Sequence, residues 1–160
     1  MVISVPSETQ VWKLLGEIRD PELPALSVVE LRIVSSVSIT DRAVTIDITP
    51  TFVGCPALDT IAESIREKML ANGFDVVNVN RSYTAQWSSD FLDDTARTKL
   101  ETFGIAPPSP VADVVVELPT LCPYCKSDQT QLESSFGATL CKQLYYCNSC
   151  RQSFEKFKSL

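Results

Sequence analysis

The chain has 160 residues, of which 44% are hydrophobic and 21% charged, and its net charge is −6. These values suit one ordinary domain with a small addition and exclude global disorder. Histidine is absent, which excludes every His-based acid–base or nucleophile-activating scheme. The sequence begins without a secretory signal and contains no segment as long as a membrane span, so we expect a cytoplasmic protein.

The first 83 residues predict a small two-layer α+β domain with the element order α-β-β-α-β. In chain order the elements are a helix from residue 7, strands over 32–40 and 43–49, a helix from Pro56 to a cap at Gly73, and a strand over 74–79. Ser7 opens a capping box for the first helix, which ends before Asp20-Pro21 because the residue before proline disfavours the α region. Alternating apolar residues in the second strand predict a sheet with one buried face.

A short helix over 94–103 and the Pro-rich stretch 106–110 follow. We therefore predict an α/β domain over residues 1–105, a linker over 106–112 and a small β domain over 113–160. The last forty residues hold five lysines and arginines against three acids, a balance of +2, so the remainder carries −8. Zinc ribbons often bind nucleic acid, but this weak positive balance beside an acidic remainder favours docking or scaffolding instead.

Two CxxC pairs separated by 21 residues dominate the C-terminal region: Cys122, Cys125, Cys147 and Cys150. Their separation is one residue beyond the usual ribbon range. Two tight turns aim four thiolates at one metal, the closed tetrahedral set of a structural zinc site. Metal binding then supplies folding free energy on the order of 10 kcal/mol to a segment too short to fold alone. Six apolar residues are expected to pack around the site: Phe136, Leu144, Tyr145, Tyr146, Phe154 and Phe157.

Other occupants and ligands of this site are open on the sequence. Iron or an iron–sulfur cluster also suits four thiolates, whereas two disulfides are disfavoured in a cytosolic protein. Cys141 is a fifth thiol, six residues before Cys147. It is either a small buried residue beside the site or an alternate ligand.

An isolated cysteine, Cys55, comes at the start of the second predicted helix. Backbone N–H groups and the helix dipole favour a thiolate there and are expected to lower its pKa. Thr49 and Thr51 offer hydroxyls, and Asp20 and Glu22 offer carboxylates if the first helix packs on the sheet. Such a group can bind a metal transiently, accept a sulfur or hold the edge of a cluster. The alternative, a small buried residue at a helix start, is favoured by spacing alone. Without histidine to activate the thiol, covalent catalysis is disfavoured.

Two stretches, DPELPALSVVEL (20–31) and TPTFVGCPALDTI (49–61), resemble the SufT/PaaD family of iron–sulfur assembly proteins. AQWSSDFL…KLETFGIAPP (85–108) and CPYC…FGATLCKQLYYCNSC (122–150) resemble its PaaD branch, which is associated with a phenylacetyl-CoA epoxidase of phenylacetate catabolism. The matching positions are Asp20, Pro21 and Glu22 in the first motif, Thr49, Thr51, Gly54, Cys55 and Pro56 in the second, the four ribbon cysteines, and Cys141.

The resemblance implies a non-catalytic role in maturing an iron–sulfur or iron centre of a partner enzyme. The implied client is the multicomponent epoxidase, with its di-iron oxygenase and its flavin and iron–sulfur reductase as partners. The implied cofactors are a structural zinc in the ribbon and a transient iron or iron–sulfur cluster at Cys55. We expect neither membrane nor nucleic acid as a partner. A structural subunit of the oxygenase complex and a nucleic-acid-binding ribbon are the alternative hypotheses.

The chain departs from the family pattern at two places. Arg32 stands where the family usually has glycine, at the start of the first predicted strand. The C-terminus reads FKSL, where close relatives often have a further cysteine after Phe-Lys. The first difference is expected to change what docks beside the DPE loop, and the second removes a ligand from the tail.

Overall fold

The computed structural model describes residues 5–84, 86–111 and 119–160. Its contacts form two compact units, residues 1–87 and residues 88–160. The last residue of the expected linker, 112, and the first residues of the expected second domain, 113–118, lie outside the described residues. Within the described ranges no helix is both long and apolar enough to cross a membrane.

The first unit has the α-β-β-α-β order that the sequence predicts. Its elements are α1 (Glu8–Leu15), β1 (Val34–Thr40), β2 (Ala43–Ile48), α2 (Ala57–Ala71) and β3 (Val76–Arg81). The sheet order is β1-β2-β3, with β1 and β2 antiparallel and β2 and β3 parallel. Parallel neighbours need a crossover connection, and α2 supplies it. The α+β fold class is confirmed.

Local signals begin and end the helices where the sequence indicates. The Ser7 hydroxyl accepts from the Gln10 N–H at 3.4 Å, and the Ser7 N–H donates to the Gln10 side chain at 2.8 Å, so the capping box is formed. Pro56 occupies the cap position of α2 and makes no side-chain cap. Gly73 adopts φ 100° two residues after α2, a left-handed conformation in which glycine carries no steric cost.

The core of the first unit lies on one face of the sheet. Val44, Ile46 and Ile48 of β2 are fully buried, as the alternating pattern predicts. They share the core with buried side chains of both helices, namely Val11, Leu15, Ile61, Ile65 and Met69. This arrangement holds the β2–α2 connection, which contains Cys55, between the end of a buried strand and the start of a buried helix.

Arg32 lies outside the strand that the sequence assigns to it. β1 begins at Val34, and Arg32 adopts φ 56°, a left-handed conformation that costs a non-glycine residue about 1–2 kcal/mol. The indole N–H of the buried Trp87 donates to the Leu31 carbonyl at 2.8 Å and helps to hold this bend. The glycine that relatives carry at this position therefore has a conformational reason.

The second unit is built on a four-stranded sheet. Its elements are a 3₁₀ helix (Ser89–Phe91), α3 (Asp94–Thr102), β4 (Ile105–Ala106), β5 (Thr130–Ser134), β6 (Lys142–Cys147) and β7 (Ser153–Phe157). The sheet order is β4-β7-β6-β5, with β4 parallel to β7 and the other pairs antiparallel. The β5–β6–β7 part is the small β domain that the cysteine spacing predicts.

Residues 88–111 belong with this second unit, whereas the sequence assigns residues up to 105 to the first domain. Ala106 of β4 is buried in one cluster with Cys122, Cys147 and Phe154. The Arg97 guanidinium donates to three carbonyl oxygens of the same unit, those of Leu92, Pro108 and Ser89, at 2.6–3.1 Å. Strand pairing and these bonds tie the segment to the ribbon.

Candidate metal centre and cysteine site

The two CxxC segments form a pair of equivalent turns, called here the first knuckle (residues 122–127) and the second knuckle (residues 147–152). In the first, the Cys122 N–H donates to the Ser127 carbonyl at 2.9 Å, and the Lys126 N–H donates to the Cys122 carbonyl at 2.9 Å. In the second, the corresponding bonds join Cys147 to Gln152 at 2.9 Å and Arg151 to Cys147 at 2.8 Å. The same backbone geometry thus presents both cysteine pairs.

The four ribbon sulfurs converge on one point. All four lie within 4.8 Å of one another, and the Cys122–Cys150 and Cys125–Cys147 sulfurs are each 3.6 Å apart. A tetrahedral zinc with Zn–S distances near 2.3 Å places its sulfurs about 3.8 Å apart. The donor set and its spacing therefore fit a closed four-thiolate zinc site.

Backbone donors prepare the second knuckle for a thiolate. Hydrogen bonds from the Cys150 and Ser149 N–H groups lower the pKa of Cys147 to about 7, against the opposing effect of burial. Burial, followed by its neighbouring thiols, raises the pKa of Cys150 to about 12. Without a cation the cluster ionises one thiol and holds another protonated. A divalent metal replaces the protons and allows every sulfur to bind it.

Cys141 does not join this cluster. It lies one residue before β6 while Cys147 ends that strand, so the two are roughly 20 Å apart at about 3.3 Å per strand residue. Its sulfur is buried and lies 3.1 Å from the Thr139 hydroxyl. The alternate-ligand role is incompatible with this placement, and the small buried residue is what the structure contains.

Aromatic packing around the ribbon follows the sequence expectation except at one residue. Phe154 and Phe157 are buried, Tyr145 stacks on Phe154 with ring centroids 5.7 Å apart, and Leu144 and Tyr146 are half-buried. Phe136 was expected in this core but is 62% exposed. It lies on the β5–β6 connection, and the Lys158 ammonium sits 4.5 Å from its ring centroid.

In the first unit, Cys55 lies in a short turn between β2 and α2. Its N–H donates to the Phe52 carbonyl at 3.3 Å, and its own carbonyl accepts from the Leu58 N–H at 3.4 Å. Gly54 adopts φ 86°, a left-handed conformation that favours glycine, although a Cβ there would meet nothing within 4 Å. The thiol is half-buried, while the neighbouring Val53 is 87% exposed.

The pKa of Cys55 is raised, not lowered as the helix-start position predicts. Burial is the largest cause, and the negative charges of Glu22 and Asp20 raise the pKa further. Hydrogen bonds from the Ala57 N–H and the Thr51 side chain act in the opposite direction but do not outweigh these effects. The helix start contributes as expected, but desolvation is larger.

The DPE loop carries its two carboxylates into electrostatic reach of Cys55. Asp20 is buried, and its Oδ1 accepts from the N–H groups of Glu22 at 2.8 Å and Leu23 at 2.7 Å. Its own N–H donates to the Leu26 carbonyl at 3.0 Å. Asp20 thus fixes the shape of the loop, and that shape sets the position of Glu22.

The structure brings four of the five predicted residues into one site: Cys55, Asp20, Glu22 and Thr51. Thr49 is buried at the end of β2, where its N–H donates to the Ile33 carbonyl at 2.7 Å, a bond that ties the two halves of the sheet edge together. The Ala57 N–H is a contributor that sequence reasoning missed. Its signal was available, because the first N–H groups of a helix lack intrahelical partners.

Comparison with known proteins assigns both units to a class. Residues 8–80 match the family model described as "Iron-sulfur cluster assembly protein", and residues 106–158 match the one described as "PaaD zinc beta ribbon domain". An α+β domain with a cysteine at its crossover helix, joined to a four-cysteine ribbon, thus defines an iron–sulfur assembly-type protein with a zinc ribbon.

The particular family follows from a full-length relative. Over 159 residues the chain is 39% identical to an Escherichia coli (strain K12) protein that is named as a subunit of 1,2-phenylacetyl-CoA epoxidase, and the match covers 99% of this chain and 96% of that protein. The chain therefore belongs to the PaaD family.

More distant relatives match the first unit. An Fe-S protein maturation auxiliary factor from Porphyromonas gingivalis is 29% identical over 96 residues, covering 59% of this chain and 90% of that protein. A DUF59 domain of unknown function from Bacillus anthracis has a TM-score of 0.55 at 25% identity, covering 58% of this chain and 90% of its own. A conserved hypothetical protein from Thermotoga maritima has a TM-score of 0.52 at 26% identity, with 59% and 94% covered.

Proposed function

We propose that this chain is a non-catalytic accessory factor that assists the assembly of an iron–sulfur or iron centre in a multicomponent phenylacetyl-CoA epoxidase. The observation that carries the proposal is the half-buried Cys55 thiol, which two carboxylates of the DPE loop face and a helix N–H contacts. The names of the Escherichia coli and Porphyromonas gingivalis relatives support the client and the maturation role respectively.

Cys55 is the residue to which we assign the handling of iron, sulfur or a cluster. Its raised pKa keeps the thiol protonated until an electrophile or a metal displaces the proton. A single thiolate with Glu22 beside it offers a mixed sulfur and oxygen donor set that accepts iron. Such a set is incomplete, so it is suited to holding its cargo briefly and passing it on, with Asp20, Thr49 and Thr51 shaping the site.

The ribbon has a different task in this proposal. Cys122, Cys125, Cys147 and Cys150 hold a zinc that stabilises the second unit, and this unit docks the partner oxygenase or reductase subunit. Large apolar side chains that remain exposed on the unit support docking: Phe103 at 58%, Tyr124 at 55% and Phe136 at 62%. Aromatic residues of this kind often anchor protein interfaces.

The test replaces Cys55 by serine in the full-length chain and measures epoxidase activity and epoxidase-bound iron in cells. We expect both to fall several-fold while the amount of folded accessory protein is unchanged. Cys141→Ser is the matched control, because Cys141 is a thiol outside both sites, and it should leave both readouts intact. Unchanged client activity and iron content in Cys55→Ser would show that the thiol handles no cargo.

A structural subunit of the oxygenase complex is the second candidate, and the exposed aromatic residues of the second unit favour it. This function predicts that the chain and the oxygenase co-elute from gel filtration in a fixed ratio, and that Cys55→Ser is as active as the wild type. Absence of the chain from the active complex would rule this candidate out.

A further inference from the structure

Both knuckles place a basic residue in a backbone conformation that favours glycine. Lys126 follows the first cysteine pair with φ 63°, and Arg151 follows the second with φ 61°. Each is also the residue whose N–H donates to the carbonyl of the first cysteine of its pair. Glycine would make the same backbone bond without the steric cost of a left-handed side chain. The backbone geometry alone therefore gives no reason for a cation at either position.

The charge of the metal site supplies a reason. Four thiolates around one divalent ion leave a net charge of −2, and two adjacent cations offset it. We propose that Lys126 and Arg151 form a cationic shell that stabilises the ribbon's metal–thiolate centre and slows its loss of zinc. This inference rests on the zinc that the proposed function assigns to the ribbon, and it goes beyond that function in naming residues that govern metal retention.

The two cations are not equivalent. The Lys126 ammonium lies 2.5 Å from the Glu101 carboxylate of α3, which already offsets much of its charge. Arg151 is exposed, and among the described residues no carboxylate forms an ion pair with it. Arg151 should therefore contribute more to zinc retention than Lys126.

The experiment follows zinc transfer from the full-length, zinc-loaded chain to a chromophoric chelator at neutral pH and low salt. Arg151→Asn removes the charge but tolerates the left-handed conformation, whereas Arg151→Lys keeps the charge. We expect Arg151→Asn to release zinc on the order of fivefold faster than the wild type, and Arg151→Lys to stay within about twofold of it. Lys126→Asn should have a smaller effect than Arg151→Asn, and 1 M salt should narrow all differences.

Arg151→Gly separates charge from conformation. Glycine relieves the left-handed strain, so a purely conformational role predicts zinc held as long as in the wild type or longer. The charge role predicts faster release despite the relieved backbone. Equal or slower release from Arg151→Gly, or release from Arg151→Lys as fast as from Arg151→Asn, would overturn the inference. A wild-type chain that binds no zinc would instead refute the ribbon assignment in the proposed function, and the inference with it.

Discussion

The two cysteine sites of this protein differ in how completely the chain surrounds its ligand. The ribbon converges four sulfurs within 4.8 Å of one another, on two turns with the same hydrogen bonds. At the other site one sulfur, that of Cys55, lies beside carboxylates and a hydroxyl, and burial raises its pKa. A closed set of donors retains a metal, while an open set leaves positions for a second molecule to attack or replace. The contrast supports a permanent role for the first site and a transient one for the second.

The largest expected effect tests the closed site. Cys147→Ser removes one of four ligands, and metal binding supplies folding free energy on the order of 10 kcal/mol to modules of this size. We expect the variant to lose its zinc and the protection of amides in β6 and β7 against hydrogen exchange. Metal analysis and hydrogen exchange on the full-length chain check this.

Cys141→Ser is the control for that experiment, because it removes a buried thiol that lies away from the cluster. It should keep the zinc and lose only about 1 kcal/mol of stability. A Cys147→Ser chain that retains both its zinc and its exchange protection would contradict the assignment of a closed site.

Two glycines with the same backbone conformation extend the contrast to packing. Gly54 beside Cys55 and Gly104 after α3 both adopt φ 86°. A Cβ at Gly54 meets nothing within 4 Å, whereas a Cβ at Gly104 would lie 2.9 Å from the Tyr124 hydroxyl of the first knuckle. Gly54→Ala should cost about 1–2 kcal/mol from strain alone, and Gly104→Ala roughly 2–4 kcal/mol from strain and overpacking.

Denaturant unfolding of both glycine variants measures the difference. Equal losses would mean that the Tyr124 ring gives way without cost, and that the first knuckle is not held against the end of α3. A larger loss at Gly104 would confirm that the ribbon site is supported by residues outside the β5–β6–β7 hairpins.

The smallest expected effect concerns the open site. Because the pKa of Cys55 is raised, its alkylation by iodoacetamide at pH 7–8 should be slower than that of an unhindered thiol and should increase as the pH rises towards the raised pKa. Glu22→Gln removes a negative charge, so the pKa falls and alkylation at fixed pH should accelerate about two- to threefold.

Thr51→Val is the opposite change at the same site. It removes a hydrogen bond that lowers the pKa, so alkylation should slow. Peptide mass spectrometry of the zinc-loaded chain follows Cys55 specifically. Rates that do not respond to Glu22→Gln would show that the DPE loop does not act on the thiol.

Sequence patterns predicted the elements whose signals are local. The capping box at Ser7, the alternation in β2 and the start of α2 at Pro56 each depend on residues within one or two turns, and each is found. By contrast, β4 has only two residues, Ile105–Ala106, and its partner β7 lies about fifty residues later in the chain. No local pattern marks so short a strand, so the sequence assigned it to the linker side of the first domain.

The ribbon cysteines follow from the amino-acid sequence alone, because a CxxC turn sets the spacing of its own two sulfurs through a few backbone bonds. The chemistry of Cys55 depends instead on the tertiary structure. Helix-start geometry predicts a lowered pKa, but burial and two carboxylates from a loop more than thirty residues earlier raise it. Desolvation and long-range charge depend on what the whole fold places around a group, and neither can be read from its neighbours in the chain.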